Sequence, residues 1–182
     1  TATFTLMQFL STPILGQLSD KFGRKPILGI SIAGTCLSYI LFAIGIITKN
    51  ITLLFFSRAF DGVTGGNISV AQAAIADVTT PENRSKNFGL IGAAFGLGFI
   101  LGPYIGGKLS DPTVLSWFNA STPFWFAAIL SLINCLSIIF IFPETMKVKQ
   151  SHVVIKWGKS LKNIFVAFGM KKLRPLFITS FI

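Results

Sequence analysis

At 182 residues the chain has the length of one or two soluble domains. Yet 52% of it is hydrophobic, only 12% is charged and the mean hydropathy is +0.70, which excludes an ordinary soluble globule and predicts a polytopic membrane protein. The net charge of +10, from sixteen Lys and Arg against six Asp and Glu, would suggest nucleic acid in a soluble protein; here the cations sit in short connections between apolar runs, where topology needs them, so no nucleic-acid partner is expected.

An all-α chain is expected, with spans wherever about 20 largely apolar residues run together, the length that crosses about 30 Å of hydrocarbon. The first is about Thr1 to Leu18, shortened at its start, and the second about Ile27 to Thr48, entered through Pro26, which suits a first helical turn because its missing N–H is unpaired there anyway. After a tight turn at 49–50 the third runs from about Ile51 to Ala76. The fourth, about Asn87 to Leu109, is rich in Gly, the fifth, about Pro123 to Phe142, is almost wholly apolar, and a sixth starts near Leu173. Thr80-Pro81-Glu82 reads as a helix start ahead of the fourth span, with Thr80 as cap and Glu82 favoured by the helix dipole.

Alternate sides of this arrangement carry very different charge. One side holds Lys21, Arg24, Lys25, Arg84, Lys86, Lys147, Lys149, Lys156, Lys159, Lys162, Lys171, Lys172 and Arg174, the other only Lys49 and Lys108. The positive-inside bias puts the first group in the cytoplasm, so loops 19–26, 77–86 and 143–172 are expected there. Within 143–172, Val154, Trp157, Leu161, Ile164, Phe165 and Phe168 fall on one helical face and Lys156, Lys159 and Lys162 on the other. That segment is either an amphipathic helix resting on membrane lipid or a basic linker.

Three stretches carry chemistry. In Gly16-Gln17-Leu18-Ser19-Asp20-Lys21-Phe22-Gly23-Arg24-Lys25-Pro26, Asp20 stands at a helix C-terminus, where the dipole disfavours an acid, so something must hold it. Arg24, four residues on, is the expected partner, with Gly16 and Gly23 allowing close approach and a positive φ. In the third span Arg58 lies about 11 Å along the helix, at 1.5 Å per residue. An arginine at that depth requires water or a partner, and Asp61 shares its face. Gly62, Gly65, Ser69, Gln72 and Ala76 extend the face as a small, polar stripe. It is either the wall of an aqueous cavity, with Asp61 as a protonation site, or a buried ion pair beside a small-residue helix contact. In the fourth span Gly89, Gly98, Gly102-Pro103 and Gly106-Gly107 combine a four-residue glycine spacing, which admits a close neighbour, with a proline that bends the helix.

Cys36 and Cys135 lie inside apolar runs and read as small core residues, so neither disulfide nor metal is indicated and no cofactor is expected. No Ser/His or metal-ligand set occurs in the spans and the single His, His152, falls in the 143–172 stretch, so no enzyme is expected.

The 16–26 loop resembles the loop after the second helix in the major facilitator superfamily. Leu54-x-x-x-Arg58-x-x-Asp61-Gly62 is similar to that family's fourth-helix motif, with Asp61 where glutamine is more usual, and Gly89 to Gly107 resembles the fifth-helix motif of its drug:proton antiporters. Ile75-Ala76-Asp77 and Arg84 to Gly107 look most like the bacterial tetracycline exporters, whose third helix carries an acid before an aromatic where this chain has Ser38 before Tyr39. The resemblance implies the major facilitator fold, with 1–142 as helices two to six of the amino-terminal half, lacking helix one, 143–172 as the link between halves and 173–182 as the start of helix seven. It also implies a multi-pass protein of the plasma membrane, the inner membrane in bacteria, that exchanges protons for a small-molecule substrate. Gly16, Asp20, Gly23, Arg24 and Lys25 would gate the cytoplasmic side against the second half, and Arg58 would act in proton coupling, with Asp61 and Gln72 on the cavity face read above. A superfamily importer or symporter, or a membrane segment that does not transport, are the other readings. Because the chain begins without Met and both ends fall inside apolar runs, it is expected to be part of a longer transporter.

Overall fold

A computed structural model describes residues 2–146 of the chain. The amphipathic segment and the sixth span expected beyond them lie outside the described residues. Six α-helices follow in order: α1 Ala2–Phe22, α2 Arg24–Ile47, α3 Ile51–Thr64, α4 Ile68–Val78, α5 Arg84–Ser110 and α6 Thr122–Phe140. Two short 3-10 turns, Gly65–Asn67 and Pro81–Asn83, precede α4 and α5. Among the described residues there is no strand, so the all-α expectation holds.

Three of these helices are long and apolar enough to cross a membrane by length and composition: α2, α5 with its leading turn, and α6. The third expected span is not one helix. At Gly65-Gly66 the backbone tightens into a 3-10 turn and splits it into α3 and α4. The reason is proximity to α1, since a Cβ on Gly66 would lie 2.8 Å from the Ser11 Oγ and 2.9 Å from the Thr12 nitrogen. Between α2 and α3 the chain turns in three residues. Lys49 takes φ 52°, and Asn50 caps α3 by accepting the Leu53 N–H at 3.1 Å. Pro81 opens the turn before α5 as expected, although the Thr80 hydroxyl accepts from the Asn83 side chain rather than from a helix N–H.

α2 is the hub, packing on α1, α3, α4 and α6. Its seam with α6 is closed by the Phe42–Phe124 ring pair, 4.4 Å between centroids, and by the Cys36 thiol, which donates to the Ala128 carbonyl oxygen at 3.3 Å. Both cysteines are free. The core is slight, built on Ile27, Leu28, Val70, Ala74 and Ile138, and much else that is buried is small and polar: Ser11, Ser19, Ser31, Ser38 and Ser57. Large apolar side chains such as Ile30, Phe99, Ile100 and Phe140 lie outside. Small residues between helices and greasy ones around them are the pattern of a chain solvated by lipid.

Candidate functional site

The end of α1, the start of α2, the end of α4 and the residues after α6 meet at one end of the bundle, and charge collects there. Arg24 is its centre. The guanidinium, 9% exposed, donates from Nη1 to Asp20 Oδ1 at 2.6 Å and to Ser19 Oγ at 2.6 Å, and from Nε to Asp77 Oδ2 at 3.0 Å. Two carboxylates from two helices thus neutralise one nearly buried cation, and Asp20, disfavoured by its own helix dipole, gains its compensation.

A fourth ionised group completes the cluster. The Glu144 carboxylate accepts the Arg24 N–H at 2.9 Å and the Lys25 N–H at 3.2 Å. It caps α2 with a side chain 120 residues away in sequence and sets a negative charge at the positive end of the helix dipole. Gly23 makes room for this, with φ 110° and ψ 158° and a hydrogen where a Cβ would sit 2.4 Å from Glu144 Oε2. The Thr145 hydroxyl reaches Asp77 Oδ2 at 3.5 Å. Gly16 contributes differently, its open face lying against Ser69 of α4.

The second expected constellation divides in two. Arg58 and Asp61 do pair, Nη1 to Oδ2 at 3.3 Å, with the Asp61 side chain 4% exposed. The Arg58 guanidinium also lies over the Phe42 ring, 4.0 Å from its centroid, and is flanked by Tyr39 at 5.8 Å and Phe124 at 5.7 Å. Arg58 Nε and Nη2 are buried without a hydrogen-bond partner among the described residues. Each such N–H costs about 1–3 kcal/mol, which the ring contact, worth up to about 2 kcal/mol when desolvated, offsets in part. Arg58 borders a cavity of about 310 Å³ that Phe42, Leu54, Phe55 and Phe124 make largely apolar.

The small residues beyond this pair do not continue one open stripe. Gly62 lies against the Phe4 carbonyl and Met7, Gly65 against the Phe4 ring, and the Ser69 hydroxyl donates to the Thr12 carbonyl oxygen at 3.3 Å, so all three are spent on α1. Gln72, beyond the 3-10 break, is exposed. Helix α5 is barest of all. Among the described residues, Gly89, Gly98, Gly102, Gly106 and Gly107 have no atom of another element within 4 Å of where a Cβ would be, and no residue of α5 is buried. Pro103 sits inside that helix, which runs unbroken from Arg84 to Ser110.

Sequence reasoning found Asp20, Arg24, Arg58 and Asp61 because each pair is three or four residues apart on one helix. It missed Asp77 and Glu144 as partners of the 16–26 loop, and the rings of Phe42, Tyr39 and Phe124 around Arg58. An acid ending an apolar run, as Asp77 and Glu144 each do, was the one signal available.

Residues 1–182 match the Major Facilitator Superfamily. The chain is 43% identical over 147 residues to the class H tetracycline resistance protein of Pasteurella multocida, covering 80% of this chain and 34% of that protein. It is 35% identical over 181 residues to the class C tetracycline resistance protein of Escherichia coli, covering 100% of this chain and 43% of that one. The crystal structure of the human organic anion transporter MFSD10 (TETRAN) superposes with a TM-score of 0.72 at 30% identity, over 86% of this chain and 34% of that chain. The chain therefore spans about a third to two-fifths of the length of these relatives. A family match over every residue, a superposable helical fold and exposed apolar surfaces agree: this chain belongs to the major facilitator superfamily, a family of multi-pass membrane transporters rather than of enzymes.

Proposed function

We propose that the chain supplies helices two to six of the amino-terminal half of a secondary active exporter, with 143–172 linking the halves and 173–182 opening helix seven. The exporter moves protons inward and an amphipathic small molecule, such as a tetracycline, outward. Asp20, Arg24, Asp77 and Glu144 stand at the cytoplasmic end, where the cations of the connections gather. The observation that carries this reading is the cluster around Arg24, in which one cation joins the ends of α1 and α4 at the start of α2. Helix ends fastened this way move together, which alternating access between two halves requires.

Asp61 and Arg58 supply the coupling step in this reading. A proton taken up by the buried Asp61 carboxylate cancels the charge that holds Arg58, whose guanidinium must then find another acceptor. The substrate can provide one. A specific observation also favours a narrower reading, in which the exported compound carries an anionic group: two Arg58 nitrogens, Nε and Nη2, lack partners among the described residues, and the MFSD10 neighbour is named as an organic anion transporter.

The test is proton-coupled efflux by the full-length polypeptide that carries this sequence, in inverted vesicles, with a tetracycline, a fluorescent cation, an organic anion and a sugar as test compounds. Proton release from the lumen on adding a tetracycline is expected. Asp20→Asn should abolish it while leaving insertion intact, and Arg58→Ala should uncouple it. Silence with the drugs and proton movement with the sugar would replace antiport by symport. Response to the organic anion alone would select the narrower reading.

A further inference from the structure

On the outer side of the bundle α2 and α6 enclose a groove of about 470 Å³. Its floor is small. Gly29 and Ala33, one turn apart on α2, leave a trough that Cys135 of α6 closes, its thiol donating to the Gly29 carbonyl oxygen at 3.7 Å. Its walls are branched and greasy, with Ile30 70% exposed and Ile139 50% exposed. On two helices that cross a membrane, side chains of that kind exposed to that degree face lipid tails.

One end of the trough is capped by charge. Lys25 lines it there, half-buried, in the first turn of α2. The acids around this lysine are engaged elsewhere: Glu144 accepts the backbone N–H groups of Arg24 and Lys25, while Asp20 and Asp77 hold the Arg24 guanidinium. Among the described residues no carboxylate pairs with the Lys25 ammonium. From Lys25 to Ala33 the trough follows α2 for about 12 Å at 1.5 Å per residue, the depth of the outer part of an acyl chain. A cation at headgroup level above an apolar trough matches a phosphate above a hydrocarbon tail.

We infer that this groove binds one anionic phospholipid, its acyl chain lying over Gly29 and Ala33 and its phosphate against Lys25 Nζ. The site rests on the orientation proposed above, which turns Lys25 to the leaflet rich in anionic lipid, and not on the direction or coupling of transport.

Cys135 in the floor reports occupancy. The full-length protein is reconstituted in phosphatidylcholine with or without phosphatidylglycerol, and alkylation by N-ethylmaleimide is followed at the Cys135 peptide by mass spectrometry. Phosphatidylglycerol should slow alkylation, and K25Q should weaken its half-effective fraction about fivefold, the worth of one lysine against anionic lipid. K25R, which keeps the charge, should retain the protection. Equal rates in the two membranes, or protection that K25Q leaves intact, would overturn the site. Loss of protection in K25R as well would mean that Lys25 acts through the loop's fold, and the phosphate assignment would fall. The readout requires no transport, so it fails or succeeds independently of the proposed antiport.

Discussion

Gly23→Ala tests how the cluster around Arg24 is held together. At φ 110° and ψ 158° Gly23 occupies a region essentially reserved for glycine, so a Cβ there costs about 1–3 kcal/mol in backbone strain alone. The same Cβ would lie 2.4 Å from Glu144 Oε2 and must push the carboxylate off the Arg24 and Lys25 N–H groups. Hydrogen bonds to a charged group contribute about 1.5–3 kcal/mol each. Relaxation of the exposed Lys25 bond reduces that sum, leaving an expected loss of about 3–5 kcal/mol for Gly23→Ala, most of it from strain and the Arg24 bond. The assay is a double-mutant cycle with Glu144→Ala in the full-length protein, reading thermal unfolding by circular dichroism in detergent. With the carboxylate already gone, Gly23→Ala should cost only the backbone strain, so the two changes should be coupled by about 2 kcal/mol. Equal cost of Gly23→Ala in both backgrounds would show that the two residues act separately, and the capping argument would fail.

Asp77→Asn should weaken the cluster nearly as much as Asp20→Asn, since each acid holds one edge of the same guanidinium; normal efflux in Asp77→Asn would show that Asp20 alone suffices. Gly62→Val should destabilise the α1–α3 contact by at least about 1–3 kcal/mol through overpacking, because a Cβ there already meets the Phe4 carbonyl at 2.5 Å; an unchanged melting temperature would contradict the packing described. Gly98→Leu should leave the packing of α1 to α4 untouched and impair only what lies across from α5, so cysteine cross-linking between α1 and α3 should be unchanged while efflux falls. At the opposite end of the bundle the Thr113 hydroxyl and then its N–H, at 2.7 and 2.8 Å, hold the Asp111 carboxyl below the ordinary carboxylate range. Its contribution to that turn is therefore full above the ordinary value and is lost as pH falls through the depressed one. Thr113→Val should move the Asp111 carboxyl ¹³C titration upward, and an unmoved titration would remove the hydroxyl's role.

Long uninterrupted apolarity made α2, α5 and α6 readable in advance, and local spacing made both ion pairs readable. The break in the third span was not. Gly62, Gly65 and Ser69 have the spacing of one helical face, and only the nearness of α1 shows that Gly65-Gly66 instead yields to a neighbour. Glu144 was invisible for a related reason, since nothing local to residues 16–26 announces an acceptor 120 residues away. The glycines of α5 illustrate the converse: their spacing signals a close partner, and none of the described elements provides one.

The 3-10 turn at Gly65–Asn67 also bears on how strain travels. A continuous helix would transmit a shift at Arg58 and Asp61 along its own axis to Asp77; a helix interrupted by a three-residue 3-10 turn transmits it less directly. Here α1 lies across the interruption as a splint. Its Ser11 hydroxyl donates to the Gly62 carbonyl oxygen at 3.1 Å on one side of the break, and its Thr12 carbonyl accepts the Ser69 hydroxyl at 3.3 Å on the other. Load arising at the buried pair is thereby shared with α1, whose last turn carries Asp20. The Gln8 side chain, which donates to the Gly65 carbonyl oxygen at 3.0 Å, completes the joint, and a serine-to-alanine change at Ser11 or Ser69 would loosen it without touching a single ion.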